Sequence, residues 1–107
     1  REYGVGGGDH RAKKRELTQV RRLECISHYT NGKNSCQCPG CTESHIEFLS
    51  IDHINGGGRR HRRAVGGADI YSWIIRNRFP EGLRILCFNC NLCRGFRGFC
   101  PHDREVG

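Results

Sequence analysis

Two Cys-x-x-Cys pairs constrain the fold of this chain more than any other feature. Cys38 and Cys41 bracket Pro-Gly, and Cys87 and Cys90 bracket Phe-Asn much further along the chain. This spacing lets two thiolates from one tight turn bind the same tetrahedral metal ion. We therefore predict one structural Zn²⁺ bound by Cys38, Cys41, Cys87 and Cys90.

A staple of this kind suits the size and composition of the chain. Its 107 residues are enough for one domain, but only 36% are apolar and 15 are glycine. Such a chain buries little apolar surface, and small domains of this kind usually need a metal or disulfides. The eight cysteines could instead form a secreted disulfide scaffold. The paired spacing favours zinc, and with it an intracellular, reducing compartment.

The charge of the chain indicates a polyanionic partner. The formal net charge is +7, and four thiolates with one Zn²⁺ would reduce it to about +5. A basic surface of this kind favours nucleic acid as partner, with a merely soluble surface as the alternative. No stretch approaches the roughly 20 apolar residues of a membrane span, so no membrane association is expected. Because the chain begins with Arg1, a removed targeting segment stays an open alternative.

The chain divides into four predicted segments. Residues 1–8 are glycine-rich and predict a flexible tail. Residues 9–32 carry apolar side chains at roughly helical spacing among Lys and Arg, and predict a basic amphipathic helix. Residues 33–102 would form the zinc-bound domain, and residues 103–107 a second tail. The apolar positions of the predicted helix are Ala12, Leu17, Val20, Leu23 and Ile26.

The predicted zinc-bound domain contains two strands with an inserted helix. Apolar runs predict strands at 46–54 and 83–88. Between them, a basic loop at 59–63 precedes a helical pattern at 68–77 that carries Trp73 as a core residue. A short helix is expected to follow the second strand, from Asn89 to about Arg94.

Three polar residues in this framework suggest phosphodiester chemistry. A zinc ion that joins both cysteine pairs lets the two strands form a hairpin, with the last helix folded across it. Asp52, His53 and Asn91 would then lie close together. A carboxylate and an amide oxygen are ligands suited to Mg²⁺ or Mn²⁺, and a neighbouring histidine can take a proton from water near neutral pH. As alternatives, Asp52 could cap a turn, Asn91 could cap a helix, and His53 could be a core histidine.

These motifs together resemble the HNH endonuclease family, also called the His-Me finger or ββα-metal family. The resemblance covers about residues 36–102, and this run is similar to small HNH-type proteins of phages and mobile elements. The matching segments are Cys38-x2-Cys41, Ile51-Asp52-His53-Ile54 and Leu83-x2-Leu86-Cys87-x2-Cys90-Asn91-x2-Arg94.

The resemblance implies a small α+β fold. It would have a zinc-stapled ββα-metal core, an added N-terminal basic helix and a helix inserted between the strands. It also implies that His53 is the general base, that Asp52 and Asn91 hold a catalytic Mg²⁺ or Mn²⁺, and that Arg94 meets phosphate. The family's middle asparagine usually just precedes the second strand, where this chain has Gly82. Asn77 would then orient His53 in its place.

The expected function is a metal-dependent endonuclease that acts on nucleic acid, with DNA favoured over RNA. The alternative is a catalytically inactive zinc module that binds RNA or DNA as a structural subunit of a larger ribonucleoprotein. Phosphate contacts are expected from Arg59, Arg60, Arg62 and Arg63, with His61 as an alternative metal ligand. A homodimer or a larger complex stays open. So does a second zinc, for which the candidate ligands are Cys25, His28, Cys93, Cys100 and His102.

Overall fold

The structure, a computed structural model, describes residues 2–65 and 70–103, with side chains described from residue 11 onward. The regular elements of these residues are four α-helices and two β-strands. In chain order they are α1 (Glu2–Thr30), β1 (Leu49–His53), α2 (Gly58–Val65), α3 (Ile70–Arg76), β2 (Leu83–Cys87) and α4 (Phe88–Arg97). The prediction of a small α+β fold is confirmed at this level.

The two strands form an antiparallel hairpin that leads directly into α4. The register pairs Leu49 with Cys87 at one end and His53 with Leu83 at the other. Helix α4 begins at the residue after Cys87, so the β-β-α order predicted from the sequence is present. The first strand is shorter than predicted because residues 46–48 form a 3₁₀ turn.

The hydrophobic core lies where the hairpin meets α1 and α3. Ile26 of α1, Ile74 of α3 and Ile85 of β2 are fully buried, and Trp73 packs against this cluster. These β-branched residues suit both a pleated strand and a tight helix contact. The core therefore fixes the hairpin against the two helices and leaves the unpaired edge of β1 facing α2.

Helix α1 differs from its prediction in two ways. It begins at Glu2 rather than near residue 9, because extending a helix that is already nucleated adds one hydrogen bond per residue. Only its C-terminal part packs on the core, so Leu17, Val20 and Leu23 are exposed rather than buried. The helix ends as predicted at Asn31 and Gly32, which both have positive φ and close a Schellman-type cap through Gly32 N–H and the Ser27 carbonyl.

The predicted basic loop at 59–63 is instead helix α2. Arginine is a good helix former, but the segment has no apolar periodicity that would have indicated a helix. Part of the predicted helix at 68–77 lies outside the described residues, and α3 covers the rest. The predicted tail at 103–107 is described only at Asp103, which is paired with Arg94. Within the described ranges, none of the helices has the length and apolar character needed to cross a membrane.

Candidate metal centre and basic cleft

Four cysteine sulfurs converge at the junction of β2 and α4. They lie within 4.8 Å of one another and could hold a metal ion. Two of them, on Cys41 and Cys87, are 4.0 Å apart, close to the edge of about 3.8 Å expected when Zn–S bonds are about 2.3 Å long. The group is Cys36, Cys41, Cys87 and Cys90.

A second group of potential ligands adjoins the first and shares one residue with it. Its ligand atoms also lie within 4.8 Å of one another. The Nδ1 atom of His102 is 3.2 Å from the sulfur of Cys100, 3.5 Å from that of Cys90 and 3.6 Å from that of Cys38. The group is Cys38, Cys90, Cys100 and His102.

Local backbone geometry brings these ligands together. The strand end places Cys87, and the first turn of α4 places Cys90 three residues later on the same side of the helix. A tight turn with Gly40 at φ 82° joins Cys38 and Cys41 through a 3.1 Å hydrogen bond from Cys41 N–H to the Cys38 carbonyl. After α4, the left-handed Gly98 turns the chain back toward the cluster.

The electrostatics of the first group depend on a bound cation. Burial raises the pKa of the Cys36 thiol to about 11 and, together with neighbouring sulfurs, raises that of Cys90 well above its usual range. Burial also opposes ionisation of Cys87, but hydrogen bonds from Cys90 and the other sulfurs lower its pKa below the usual value. Four thiolates cannot share this volume without compensation, so metal binding would release protons.

The structure changes the predicted zinc ligand set by one residue. Cys36 takes the place of Cys38 beside Cys41, Cys87 and Cys90, while Cys38 belongs to the second group. The reason is that Cys36 is held beside the end of β2, where it accepts a 3.2 Å hydrogen bond from Cys87 N–H. The signal for it was the density of cysteines in this segment, with three in six residues.

Two of the five candidate ligands for a second zinc belong to a ligand group, and three do not. Cys100 and His102 join the second group, whereas the other three candidates are in neither group. Cys25 is buried in the core and contacts the Tyr71 carbonyl, and His28 stacks on Phe79 with ring centroids 4.1 Å apart. Cys93 is partly exposed on α4.

The carboxylate predicted to hold a catalytic metal has a different partner. Asp52 accepts a 2.7 Å hydrogen bond and ion pair from Arg84 Nε, the residue directly opposite it in the hairpin. Neither of the two metal-ligand groups found among the described residues contains Asp52 or His53. A catalytic Mg²⁺ or Mn²⁺ site at Asp52 is therefore not supported by this arrangement.

The predicted general base is held by a second histidine. The Nε2 atom of His53 lies 2.8 Å from Nδ1 of His61 on α2, whose ring packs edge-on against Trp73 with centroids 4.1 Å apart. Burial is the largest cause of the lowered pKa of His53, and the nearby charges of His61 and Arg62 lower it further. The nearby Asp52 carboxylate raises the pKa of His53 but does not outweigh these causes.

The two asparagines of the predicted site, Asn91 and Asn77, lie in different places and have different hydrogen-bond partners. Asn91 on α4 donates hydrogen bonds to Ser50 Oγ at 2.9 Å and to the Ile51 carbonyl at 3.4 Å, which places it at the unpaired edge of β1. Asn77, predicted to orient His53, instead donates to the Trp73 carbonyl at 2.7 Å. His61 occupies the orienting position that the sequence had suggested for Asn77.

A basic cleft follows the unpaired edge of β1. It has a volume of about 570 Å³ and is lined by Arg22, Arg59, Arg62 and Asn91 together with apolar side chains of α4. Arg22 and Arg62 donate to the carbonyls of Leu49 and Ile51, and each guanidinium retains further N–H donors. Arg22 was missed from the sequence because only the tertiary packing of α1 brings it to this edge.

The predicted phosphate contacts divide into three classes. Arg59 and Arg62 line the cleft, whereas Arg60 and Arg63 are on the same helix without lining it. Arg94 binds the Asp103 carboxylate at 2.9 Å and the Cys38 sulfur at 3.1 Å. Its guanidinium is thus committed to the metal centre rather than placed in the cleft.

Comparisons of the chain with family models, with curated proteins and with solved structures yielded no match.

Proposed function

We propose that this chain is an HNH-type endonuclease that binds nucleic acid, DNA in preference to RNA, and hydrolyses a phosphodiester bond with His53 as general base. One observation carries the proposal. Arg62 lines the basic cleft, donates to the Ile51 carbonyl at 3.2 Å, and follows His61, which lies 2.8 Å from His53. A phosphate-binding cation and a neutral base are therefore adjacent at the end of β1.

The proposed reaction follows from these side chains. Arg59 and Arg62 bind the non-bridging oxygens of a phosphate by charge-assisted hydrogen bonds. The neutral imidazole of His53 accepts a proton from a water molecule as its oxygen attacks phosphorus. The family resemblance implies that the bond from phosphorus to the 3′ oxygen breaks, and that oxygen leaves with a proton from solvent, giving 5′-phosphate and 3′-hydroxyl ends.

The predicted catalytic Mg²⁺ or Mn²⁺ does not fit the residues as they are arranged. The Asp52 carboxylate is paired with Arg84, so a cation already lies where the metal ion would bind. The reaction outlined above therefore involves only groups of the chain and water. The requirement for a divalent ion stays a prediction of the family resemblance.

The structural Zn²⁺ predicted from the sequence has a better fit. The ligands are cysteine sulfurs and an imidazole, which zinc prefers in closed structural sites. When bound, the ion would join the segment before β1 to the start of α4, and so hold the hairpin and α4 in place. The identity of the metal as zinc is part of the proposal.

A second candidate is the non-catalytic module of a larger ribonucleoprotein, which the Asp52–Arg84 ion pair favours. An arginine on the predicted metal ligand repels a divalent cation and leaves the cleft as a binding surface only. The exposed Leu17, Val20 and Leu23 on α1 are consistent with contact to another subunit.

A cleavage assay separates the two candidates. Wild-type protein, His53→Ala and His45→Ala are incubated with supercoiled plasmid or single-stranded RNA, with Mg²⁺, with Mn²⁺ and with neither. His45 is a matched control because it is exposed and outside the cleft. We expect nicking by the wild type and His45→Ala but not by His53→Ala.

Two results would count against the endonuclease. They are absence of nicking by the wild type in every condition, and equal nicking by His53→Ala. The non-catalytic module would be supported if the wild type binds nucleic acid without cleaving it. It would be supported further if Arg84→Ala gains cleavage or Mg²⁺ binding that the wild type lacks.

A further inference from the structure

We propose that the two metal-ligand groups form one cluster of two Zn²⁺ ions, with the Cys90 thiolate bridging both ions. This inference does not depend on nuclease activity. It concerns how many ions the chain holds and which sulfur they share. The alternative is a single ion that occupies one group and leaves the other empty.

The first support is that Cys90 belongs to both groups. The ligand atoms of each group lie within 4.8 Å of one another, so the Cys90 sulfur is at a shared corner of two four-ligand sites. A thiolate has more than one lone pair and can bind two ions at once. Two tetrahedra that share one corner place their ions at about the 3.5–4 Å separation known for two-metal sites.

The second support is the environment of His102. Its Nδ1 atom is within 3.2–3.6 Å of three different sulfurs. A ring nitrogen carries either one hydrogen or one lone pair, so three hydrogen bonds cannot account for these contacts. One nitrogen above three sulfurs, at about 3.6 Å from each, is the arrangement of ligands around a tetrahedral Zn²⁺.

The third support is that the fourth position of the second ion already has a protein ligand. Cys38, Cys90 and Cys100 are each at most 2% exposed. An open zinc site would have three protein ligands and one water, but here the fourth position next to Cys38, Cys100 and His102 is occupied by the Cys90 sulfur. A second ion in this group would therefore have four protein ligands, with Cys90 among them.

The fourth support is the path of the chain between Cys36 and Cys38. Gln37 N–H donates to the Ile85 carbonyl at 2.8 Å, and the Gln37 side chain accepts from Ile85 N–H at 2.7 Å. This contact fixes the segment against β2 and directs its two cysteines into different groups. A single site bound by Cys38 and Cys41 would not require Cys36 and Cys38 to belong to different groups.

The charge around the cluster is also consistent with two ions. Six thiolates and two Zn²⁺ ions leave a net charge of −2. Arg94 offsets part of it by donating to the Cys38 sulfur at 3.1 Å. The Asp103 carboxylate on the other side of Arg94 holds this guanidinium in place. With one ion and six thiolates the same volume would carry −4, which burial opposes.

The test measures metal content and metal–metal coupling in the intact chain. The protein is refolded with excess zinc under reducing conditions, and its zinc content is measured by native mass spectrometry. We expect two ions per chain in the wild type, one in Cys41→Ser and one in His102→Ala. Cys93→Ser is the matched control and should keep two ions, because Cys93 is in neither group.

Cadmium NMR of the refolded wild type tests the bridge without any variant, so a variant that fails to fold does not leave the question open. A shared thiolate predicts two cadmium resonances with scalar coupling between them. Two uncoupled resonances would overturn the bridge, and one resonance or one ion per chain would overturn the cluster.

Discussion

His53 and His61 face each other across the end of the hairpin, with Nε2 of the first 2.8 Å from Nδ1 of the second. The other ring nitrogen of His61 is buried without a hydrogen-bond partner and lies beside Trp73. The contact between the two rings needs a hydrogen on one nitrogen and a lone pair on the other. In the tautomer in which His53 donates through Nε2, its Nδ1, which faces Gly58, carries the lone pair that a general base needs.

This arrangement predicts a depressed pKa at His53 with a defined pH dependence. Burial, the largest cause, and the charge of Arg62 disfavour the imidazolium, so the unfolded chain takes up the proton first, near pH 6.5. His53 therefore favours the folded state above that pH, and this contribution is lost as the pH falls through its lowered pKa. Nuclease activity should fall over the same acidic window.

NMR titration of the His53 ring checks this prediction. Arg62→Gln removes one of the charges that lower the pKa, and should move it toward the ordinary value. Arg60→Gln removes a charge from the same helix without affecting His53 and serves as the control. A His53 titration at or above pH 6.5 in the wild type would contradict the prediction.

Gly58 is predicted to be intolerant of a side chain. A Cβ at this position would be 2.9 Å from Nδ1 of His53, and the ring cannot move freely because His61 holds its other side. Gly58→Ala should lower the free energy of unfolding by about 1–3 kcal/mol and shift the His53 ring resonances.

Gly95→Ala is the matched control for this substitution. A Cβ there meets nothing within 4 Å, and alanine inside a helix should stabilise α4 by about 0.5–1 kcal/mol. Both values can be measured by urea denaturation. Equal stabilisation by the two substitutions would show that His53 is not packed against Gly58.

The β-β-α order and the involvement of Cys87 and Cys90 could be predicted because they depend on local spacing. A strand that ends in a cysteine and runs into a helix places the next cysteine one turn later. The partners contributed by the rest of the chain could not be predicted in the same way. The choice of Cys36 over Cys38 depends on how the segment lies against β2, which no short-range pattern encodes.

The candidate catalytic residues show the same limit. Asp52 and His53 are adjacent in the sequence, but the cross-strand register places Arg84 opposite Asp52, and the two form an ion pair. His53 contacts His61 only because residues 58–65 form a helix rather than a loop. Arg94 is a further residue whose contacts could not be predicted from its position in the motif. Its position in the motif suggested phosphate binding, whereas tertiary contacts with Asp103 and Cys38 use its donors.

The division of the α2 arginines predicts unequal effects on nucleic-acid binding. Arg59 lines the cleft, is exposed and has no hydrogen bond to the described part of the chain, so it is available to phosphate. Arg59→Ala should weaken binding and reduce the slope of log K against log salt by about 1. Arg63→Ala removes the same charge outside the cleft and should change binding much less. Fluorescence anisotropy with a labelled duplex at several salt concentrations measures both, and equal losses would place the binding surface elsewhere.

Removal of the proposed zinc ions is predicted to unfold residues 33–102. Binding to a structural zinc site contributes about 10–16 kcal/mol, which is comparable to the whole net stability of about 5–15 kcal/mol that folded proteins usually have. The core around Ile26, Ile74 and Ile85 is small and cannot replace that contribution. Addition of a strong chelator should therefore collapse the amide NMR spectrum of β1, β2 and α4 and lower the helical circular dichroism, and added zinc should restore both. Cys93→Ser is the control because Cys93 is in neither ligand group, and it should lose and regain its structure at the same chelator concentration as the wild type. Cys90→Ser, in contrast, should be unfolded even with zinc present. A chain that keeps its dispersed spectrum in excess chelator would show that the fold does not depend on the metal centre.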